Sequence, residues 1–283
     1  MPDRAASARP SLSLIVSTYE RADALAMVLR SALAQSDPPD ELVVADDGSD
    51  CDNESIALRL HAPPTCKILY LRQPHEGFRL ARLRNLAIAA TRADFVLFID
   101  GDMLLHPHFV RDHRRQASRG FFNQGPRLAL DDGTTREIMS GNALPDIARL
   151  REGCATRHRL LGRHWPALSR RLRRLGNALI SVKGCNFGFW RNDLVRVNGF
   201  NEQFTGWGAE DKELCQRLEH AGVRRQTLLF SGLAWHLAHA PAARHRAAEN
   251  SKILVATRQQ CLTRCTAGLD AHLHTNPDEG SAT

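Results

Sequence analysis

Ser11 to Ser17 is an apolar run that reads as a buried strand, and Leu25, Val28, Leu29, Ala32 and Leu33 then recur at helical spacing. Pro38-Pro39 ends that helix. Glu41 to Ala45 is a second strand running into Asp46-Asp47-Gly48-Ser49, and Lys67 to Leu71 is a third. Leu80, Leu83, Leu86, Ala87 and Ala90 mark one helix face, and Asp94 to Ile99 is a fourth strand. Strands alternating with helices predict an α/β fold, its mostly parallel sheet covered by helices on both faces.

Beyond residue 100 the rhythm changes. His106 to Arg119 predicts a helix with Pro107 in its first turn, whereas residues 121–150 read as irregular. Asn186 to Trp190 predicts a strand and Asn192 to Val197 a short helix. Ala209 to Ala221 predicts a helix stopped by Gly222, Gln226 to Ser231 a strand, and Arg244 to Cys265 a last helix before a loose polar tail.

The 283 residues are 43% apolar and 24% charged, which excludes a mainly disordered chain. The apolar runs are too short to cross a bilayer, and residues 1–10 carry no signal-peptide segment. Seven cysteines without paired short spacing suit a reducing compartment. The expectation is a soluble, cytoplasmic, single-domain protein.

Charge refines that picture. The net charge is +7, and residues 151–177 hold eight arginines against one acid, Glu152, so that stretch alone is +7 and the remainder is near neutral. Leu160, Leu161, Trp165, Leu168, Leu172 and Leu175 are interleaved with the arginines. Such a segment fits an anionic membrane surface, with attachment to the inner face of the cytoplasmic membrane. The plainer reading is a solvated insertion whose leucines pack on the domain. No nucleic-acid partner is expected, because no stacking platform or known module accompanies the arginines.

Two acidic clusters, Asp46-Asp47 and Asp100-Gly101-Asp102, fall just past predicted strands. Ligands of open α/β sheets bind at that edge, where backbone polar groups are free. One carboxylate of the second cluster can meet a sugar hydroxyl while the other holds a divalent cation bridging a diphosphate; oxygen ligands suit Mg2+ or Mn2+. An EF-hand reading of Asp46 to Glu54 fails because its glycine is misplaced. Neither a dinucleotide-binding Gly-x-Gly-x-x-Gly nor a phosphate-cradling Gly-x-x-x-x-Gly-Lys occurs. A third cluster, Gly206-Trp207-Gly208-Ala209-Glu210-Asp211, sets two acids at the start of a predicted helix. The helix dipole there keeps a general base ionised, although capping alone would explain the segment in isolation.

Read together, these segments resemble the family 2 glycosyltransferases of GT-A fold. More narrowly, they resemble the bacterial lipopolysaccharide-core and capsule enzymes with a galactosyltransferase-like carboxyl-terminal motif. The resemblance runs from about Ser11 to His239, with its pieces in the family's order. They are Ser17 to Arg21, Val43 to Ser49, Gly77-Phe78-Arg79 with Arg84-Asn85, Phe98 to Asp102, Lys183 to Asn186, Asn198-Gly199-Phe200 and Trp207 to Asp211. The long arginine-rich insert between Gly141 and Ser181 departs from the shared motifs.

The resemblance implies roles. Thr18, Tyr19 and Glu20 would contact the nucleoside, Asp46 or Asp47 the uracil, Arg84 the base and phosphates, and Asp100 the ribose. Asp102 would bind the metal, completed by His236 or His239, with His236 favoured because it directly follows the strand. Asp211 would be the catalytic base, with Glu210 beside it and Trp207, Gly208 and Asn186 shaping the acceptor site. A zinc set of Cys261, Cys265, His236 and His239 has an unusual ligand order. The implied layout is an extension (1–10), a catalytic domain (11–267) and a tail (268–283). Within the domain, 11–120 binds the nucleotide sugar, 141–181 is the basic insertion, 182–240 is the catalytic half and 241–267 a terminal helix. The implied reaction is inverting, metal-dependent sugar transfer from a nucleotide-diphosphate sugar to a glycan or lipid-linked glycan. A non-catalytic nucleotide-sugar binder and a retaining transferase stay open.

Overall fold

The computed structural model describes residues 9–141, 143–175, 181–240 and 244–273, so the predicted tail from residue 275 lies outside the described residues. Strands β1 (Leu12–Thr18), β2 (Glu41–Asp46), β3 (Lys67–Arg72) and β4 (Phe95–Asp100) lie parallel, as the pattern predicts. They are followed by β5 (Met103–Leu105), β6 (Phe121–Gln124), β7 (Arg127–Ala129), β8 (Asn186–Trp190), β9 (Arg224–Thr227) and β10 (Ala234–His236). Seven of these form one sheet in the order β3-β2-β1-β4-β8-β6-β9, with β8 antiparallel to both β4 and β6. A small second sheet runs β5-β10-β7.

Alternation along each central strand fills a core on either side. Leu12, Leu14 and Val16 of β1 join Phe95, Leu97 and Ile99 of β4 on one face, against the helix Ala22–Leu33. Ile15, Val43, Val96 and Phe98 point to the other, against the helices Leu80–Ala90 and Glu210–His220. Both faces are dry, so these strands read as continuous apolar runs.

The chain leaves β1 toward β2 and β3, then returns across β1 to β4, so the direction of winding switches between β1 and β4. Open α/β sheets form their ligand crevice at such a switch point, beyond the carboxyl ends of the strands. The register sets Ser17 opposite Asp100 and Thr18 opposite Asp46, bringing the first two motif segments to one level.

Four expectations are corrected. The described part of 121–150 holds β6, β7 and the helices Asp132–Ser140 and Ile147–Glu152, each helix capped by an Asp. The predicted strand Gln226 to Ser231 begins earlier and stops at Thr227, because Phe230 and Gly232 take positive φ (60° and 56°) and turn the chain into β10. The helix near His106 spans only Phe109–Gln116, and the one predicted over Arg244 to Cys265 spans Ala247–Gln259, ending before Cys261 at φ 49°, with a further short helix at Asp270–Leu273. The described part of the basic insertion folds into the short helices Thr156–Leu161 and Pro166–Leu172. Leu161 packs on the core, whereas Leu160, Trp165 and Leu175 stay exposed.

Candidate active site

At the loops that follow β1 and β3, Tyr19 is exposed and stacks on His75, with ring centroids 4.6 Å apart and planes 11° from parallel. His75 follows β3 in a loop that carried no sequence signal. Beneath the pair lies Asp47, which accepts hydrogen bonds from Gln73 Nε2 and the Arg79 backbone N–H, while its own carbonyl contacts His75 Nδ1. Burial pushes the Asp47 pKa up, against those hydrogen bonds.

Asp46 does different work. It is fully buried and accepts from the Ser49 N–H (2.8 Å), Asn53 Nδ2 (2.8 Å) and the Tyr70 hydroxyl (2.9 Å). Of the two candidates for the base, Asp46 therefore builds the turn and Asp47 borders the crevice. Glu20, at φ 49°, accepts from the Asp50 N–H at 2.6 Å and donates its own N–H to Ser49 Oγ, tying the β1 and β2 loops together. Thr18 Oγ1 is buried without a partner among the described residues. A Cβ on Gly101 would lie 3.1 Å from that oxygen and from the Ser17 carbonyl, so any larger residue there would press on the end of β1.

Arg84 is the hub. Its guanidinium, 1% exposed, donates to Asp100 Oδ1 at 3.0 Å and to the Gly184 carbonyl at 3.0 Å, and lies 3.7 Å from Glu210 Oε1. Phe187 and Phe200 hold it from beneath, with its carbon 5.5 and 5.3 Å from their ring centres. The Gly184 N–H donates to Asp211 Oδ2 at 2.9 Å, so the same glycine links Arg84 to Asp211. A Cβ on Gly184 would come within 3.0 Å of Arg84 and 3.2 Å of the Asp211 Cβ. Burial, joined by the charge of Asp211, raises the Glu210 pKa to about 7, with Arg84 pulling the other way. The Asp100 side chain reaches the crevice, 38% exposed; desolvation raises its pKa and Arg84 opposes that rise.

Loop geometry aims the two acids. Gly206 and Gly208 have positive φ (71° and 114°), and Ala209 itself is left-handed at φ 73° immediately before the helix Glu210–His220. A non-glycine residue in that region is strained, as often happens where a loop must present functional groups. Trp207 beside it is 41% exposed and stacks under the Arg244 guanidinium at 4.7 Å.

The second sheet assembles a different cluster. β5 pairs with β10 so that His236 opposes Met103, next to Asp102. Asp102 Oδ2 lies 3.0 Å from His239 Nε2 and 3.4 Å from His236 Nε2, and the two imidazole nitrogens are 3.2 Å apart. These three side chains form the group suited to a metal ion among the described residues. Asp102 Oδ1 is buried without a partner, a further donor atom for a cation. Burial opposes the Asp102 charge, but the hydrogen bonds from both histidines outweigh it and hold the pKa well below the ordinary carboxylate range. The bond to Asp102 correspondingly raises the His239 pKa. The alternatives His236 and His239 thus converge on one point. The zinc set does not form: Cys265 is buried against the Asn198 and Phe200 carbonyls, and Cys261 is exposed.

One assignment is corrected outright. Asn186 is fully buried, its Nδ2 donating to the Pro126 and Gly232 carbonyls at 2.9 Å each and its Oδ1 lying 3.0 Å from His113 Nε2. Its amide ties the interior together and has no atom left for an acceptor sugar.

Residues 13–193 match the sequence profile of "Glycosyl transferase family 2", and residues 177–240 that of the "N-terminal domain of galactosyltransferase". The chain is similar to chondroitin synthase of Escherichia coli, 29% identical over 224 residues, 75% of this chain and 32% of that protein. It is also similar to validoxylamine A glucosyltransferase of Streptomyces hygroscopicus subsp. limoneus, 28% identical over 268 residues, 87% of this chain and 55% of the relative. The chain thus spans about a third to about half of these relatives' length. In fold it matches a mannosyltransferase from Pyrobaculum calidifontis solved with GDP-Man and Mn2+, at a TM-score of 0.60 and 18% identity, covering 90% of this chain and 65% of that one. The mixed sheet, the crevice at its winding switch and the profile match over most of its length place this chain in glycosyl transferase family 2.

Proposed function

We propose that the chain transfers a hexose or N-acetylhexosamine from its uridine-diphosphate donor to a hydroxyl of a bacterial surface glycan, such as lipopolysaccharide core or capsule, with inversion at the anomeric carbon. The observation that carries this reading is the arrangement around Arg84. One side chain joins Asp100, on the donor side, to Glu210, while Gly184 passes the connection on to Asp211.

Each residue then has a task. Tyr19 and His75 offer a flat surface to the base, and Asp47 an acceptor at its rim. Asp100 meets the ribose. Asp211, at a helix N-terminus and held by the Gly184 N–H, takes the proton from the acceptor hydroxyl as it attacks from the face opposite the diphosphate. Glu210 and the exposed Trp207 shape the acceptor sugar's seat.

Asp102, His236 and His239 would hold a divalent cation, and their mixture of oxygen and nitrogen donors suits Mn2+ better than the all-oxygen preference of Mg2+. Bound there, the cation would stabilise negative charge on the leaving diphosphate.

The acceptor side extends to the basic insertion. Exposed Leu160, Trp165 and Leu175 among arginines favour contact with an anionic membrane, which suits a lipid-linked glycan. Incubating the protein with uridine-diphosphate sugars, Mn2+ and candidate glycans tests the reaction, and the anomeric configuration of the product tests inversion. A β-linked product from an α-linked donor agrees with the proposal; an α-linked product contradicts it.

A further inference from the structure

β7 and β10 pair in parallel, with Arg127 opposite Ala234 and Ala129 opposite His236. Arg127 and His236 therefore stand two steps apart on the same face of the small sheet, as diagonal neighbours. Arg127 Nη2 lies 2.8 Å from His236 Nε2 and 3.0 Å from Nδ1. That same Nε2 faces His239 and Asp102. Arg127 Nε is buried with no partner among the described residues, and the guanidinium's charge reaches Asp100 as well.

A guanidinium is charged at every relevant pH and can only donate. Its Nη2 lies close to both ring nitrogens of His236 at once, so the guanidinium rests against the ring that would ligate a cation and its charge sits beside any ion held there. A fixed positive charge stands against a cluster whose other features attract a cation. The opposition is relieved by a ligand with several negative oxygens, toward which the guanidinium can turn.

We propose that Arg127 makes cation binding at Asp102, His236 and His239 depend on the donor's diphosphate. Without nucleotide, Arg127 rests against the His236 ring and its charge repels a divalent ion. With a diphosphate present, it swings to the phosphate oxygens, its charge is met there, and cation and nucleotide bind as a pair. This rests on the reading of the three side chains as a cation site beside the diphosphate. The linkage is reciprocal, so Mn2+ must tighten the nucleotide by the same factor.

Mn2+ binding to the full chain, followed by electron paramagnetic resonance with and without UDP or UMP, tests it. UDP should tighten Mn2+ by well over tenfold in the natural protein, and UMP by less. Arg127→Gln should bind Mn2+ alone about tenfold more tightly, since a unit charge near 5 Å from a divalent ion is worth about that factor even in a water-like medium. Its remaining linkage to UDP should shrink by a similar factor, while Arg127→Lys, which keeps the charge, should stay close to the natural protein. Arg127→Gln that binds Mn2+ alone no more tightly, yet still binds Mn2+ with UDP, overturns the role of Arg127 and spares the site. No Mn2+ binding by either protein, even with UDP, overturns the site and this inference with it.

Discussion

Arg84 and Asp100 are joined at 3.0 Å across the floor of the crevice, with the guanidinium almost wholly buried. The pair connects β4 to the helix Leu80–Ala90, and through Gly184 it reaches Asp211 on the helix Glu210–His220. Fold and site are thus fastened at one point. Removing the cation leaves Asp100 and Glu210 facing each other without compensation. Arg84→Met should destabilise the protein by about 1–3 kcal/mol, the usual cost of leaving hydrogen-bonding groups without their partner. Urea unfolding measures this, and a loss below about 0.5 kcal/mol contradicts the hub.

Glu210 makes stability pH-dependent. Its pKa is raised from 4.5 to about 7, so the folded state holds the proton more tightly than the unfolded chain. The stability tied to that proton is fully present below pH 4.5 and is lost as pH rises through about 7. Glu210→Gln, which cannot ionise, should melt several degrees higher than the natural protein at pH 8 and at the same temperature near pH 4.5. Melting curves across that range check it; an equal gap at both ends contradicts it.

Much of this architecture was legible in the sequence, and the parts that were not share a cause. β1, β2 and β4 are buried on both faces, so their residues had to be apolar in succession. β5, β7 and β10 are three residues each, too short for a period to show, and they exist only by pairing with one another. Arg127 was missed for that reason. The alternation of Arg127-Leu128-Ala129-Leu130 was its one local trace. Asn186 shows the converse: its motif was recognisable, but whether its amide faces the crevice or the interior depends on Pro126, Gly232 and His113, which are distant in sequence. Asp46 and Asp47 are adjacent in the chain and separated only by the turn that Asp46 itself builds.

The basic insertion should direct the protein to anionic lipid. Replacing Arg170, Arg171, Arg173 and Arg174 with Gln removes about 1 kcal/mol of attraction per residue near such a surface. Sedimentation with vesicles containing phosphatidylglycerol should then pellet much less of the variant than of the natural protein, and raised salt should release the latter. Equal pelleting of both proteins contradicts membrane contact.

In the proposed reaction, Asp211 takes part in the chemical step and not in donor binding. Asp211→Asn keeps the side chain's shape and an oxygen for the Gly184 N–H but cannot accept the acceptor's proton. Turnover should fall by about 10²- to 10⁴-fold, the range for a positioned base, with little change in donor KM. A variant with unchanged turnover contradicts the assignment.

The division of the crevice into a donor half and a proton-accepting half is tested most directly by calorimetric titration of UDP in the presence of Mn2+ with three proteins. The natural chain and Asp211→Asn should bind alike, and Asp102→Ala should lose the binding that Mn2+ confers. Loss of UDP binding in Asp211→Asn, or its full retention in Asp102→Ala, would contradict that division.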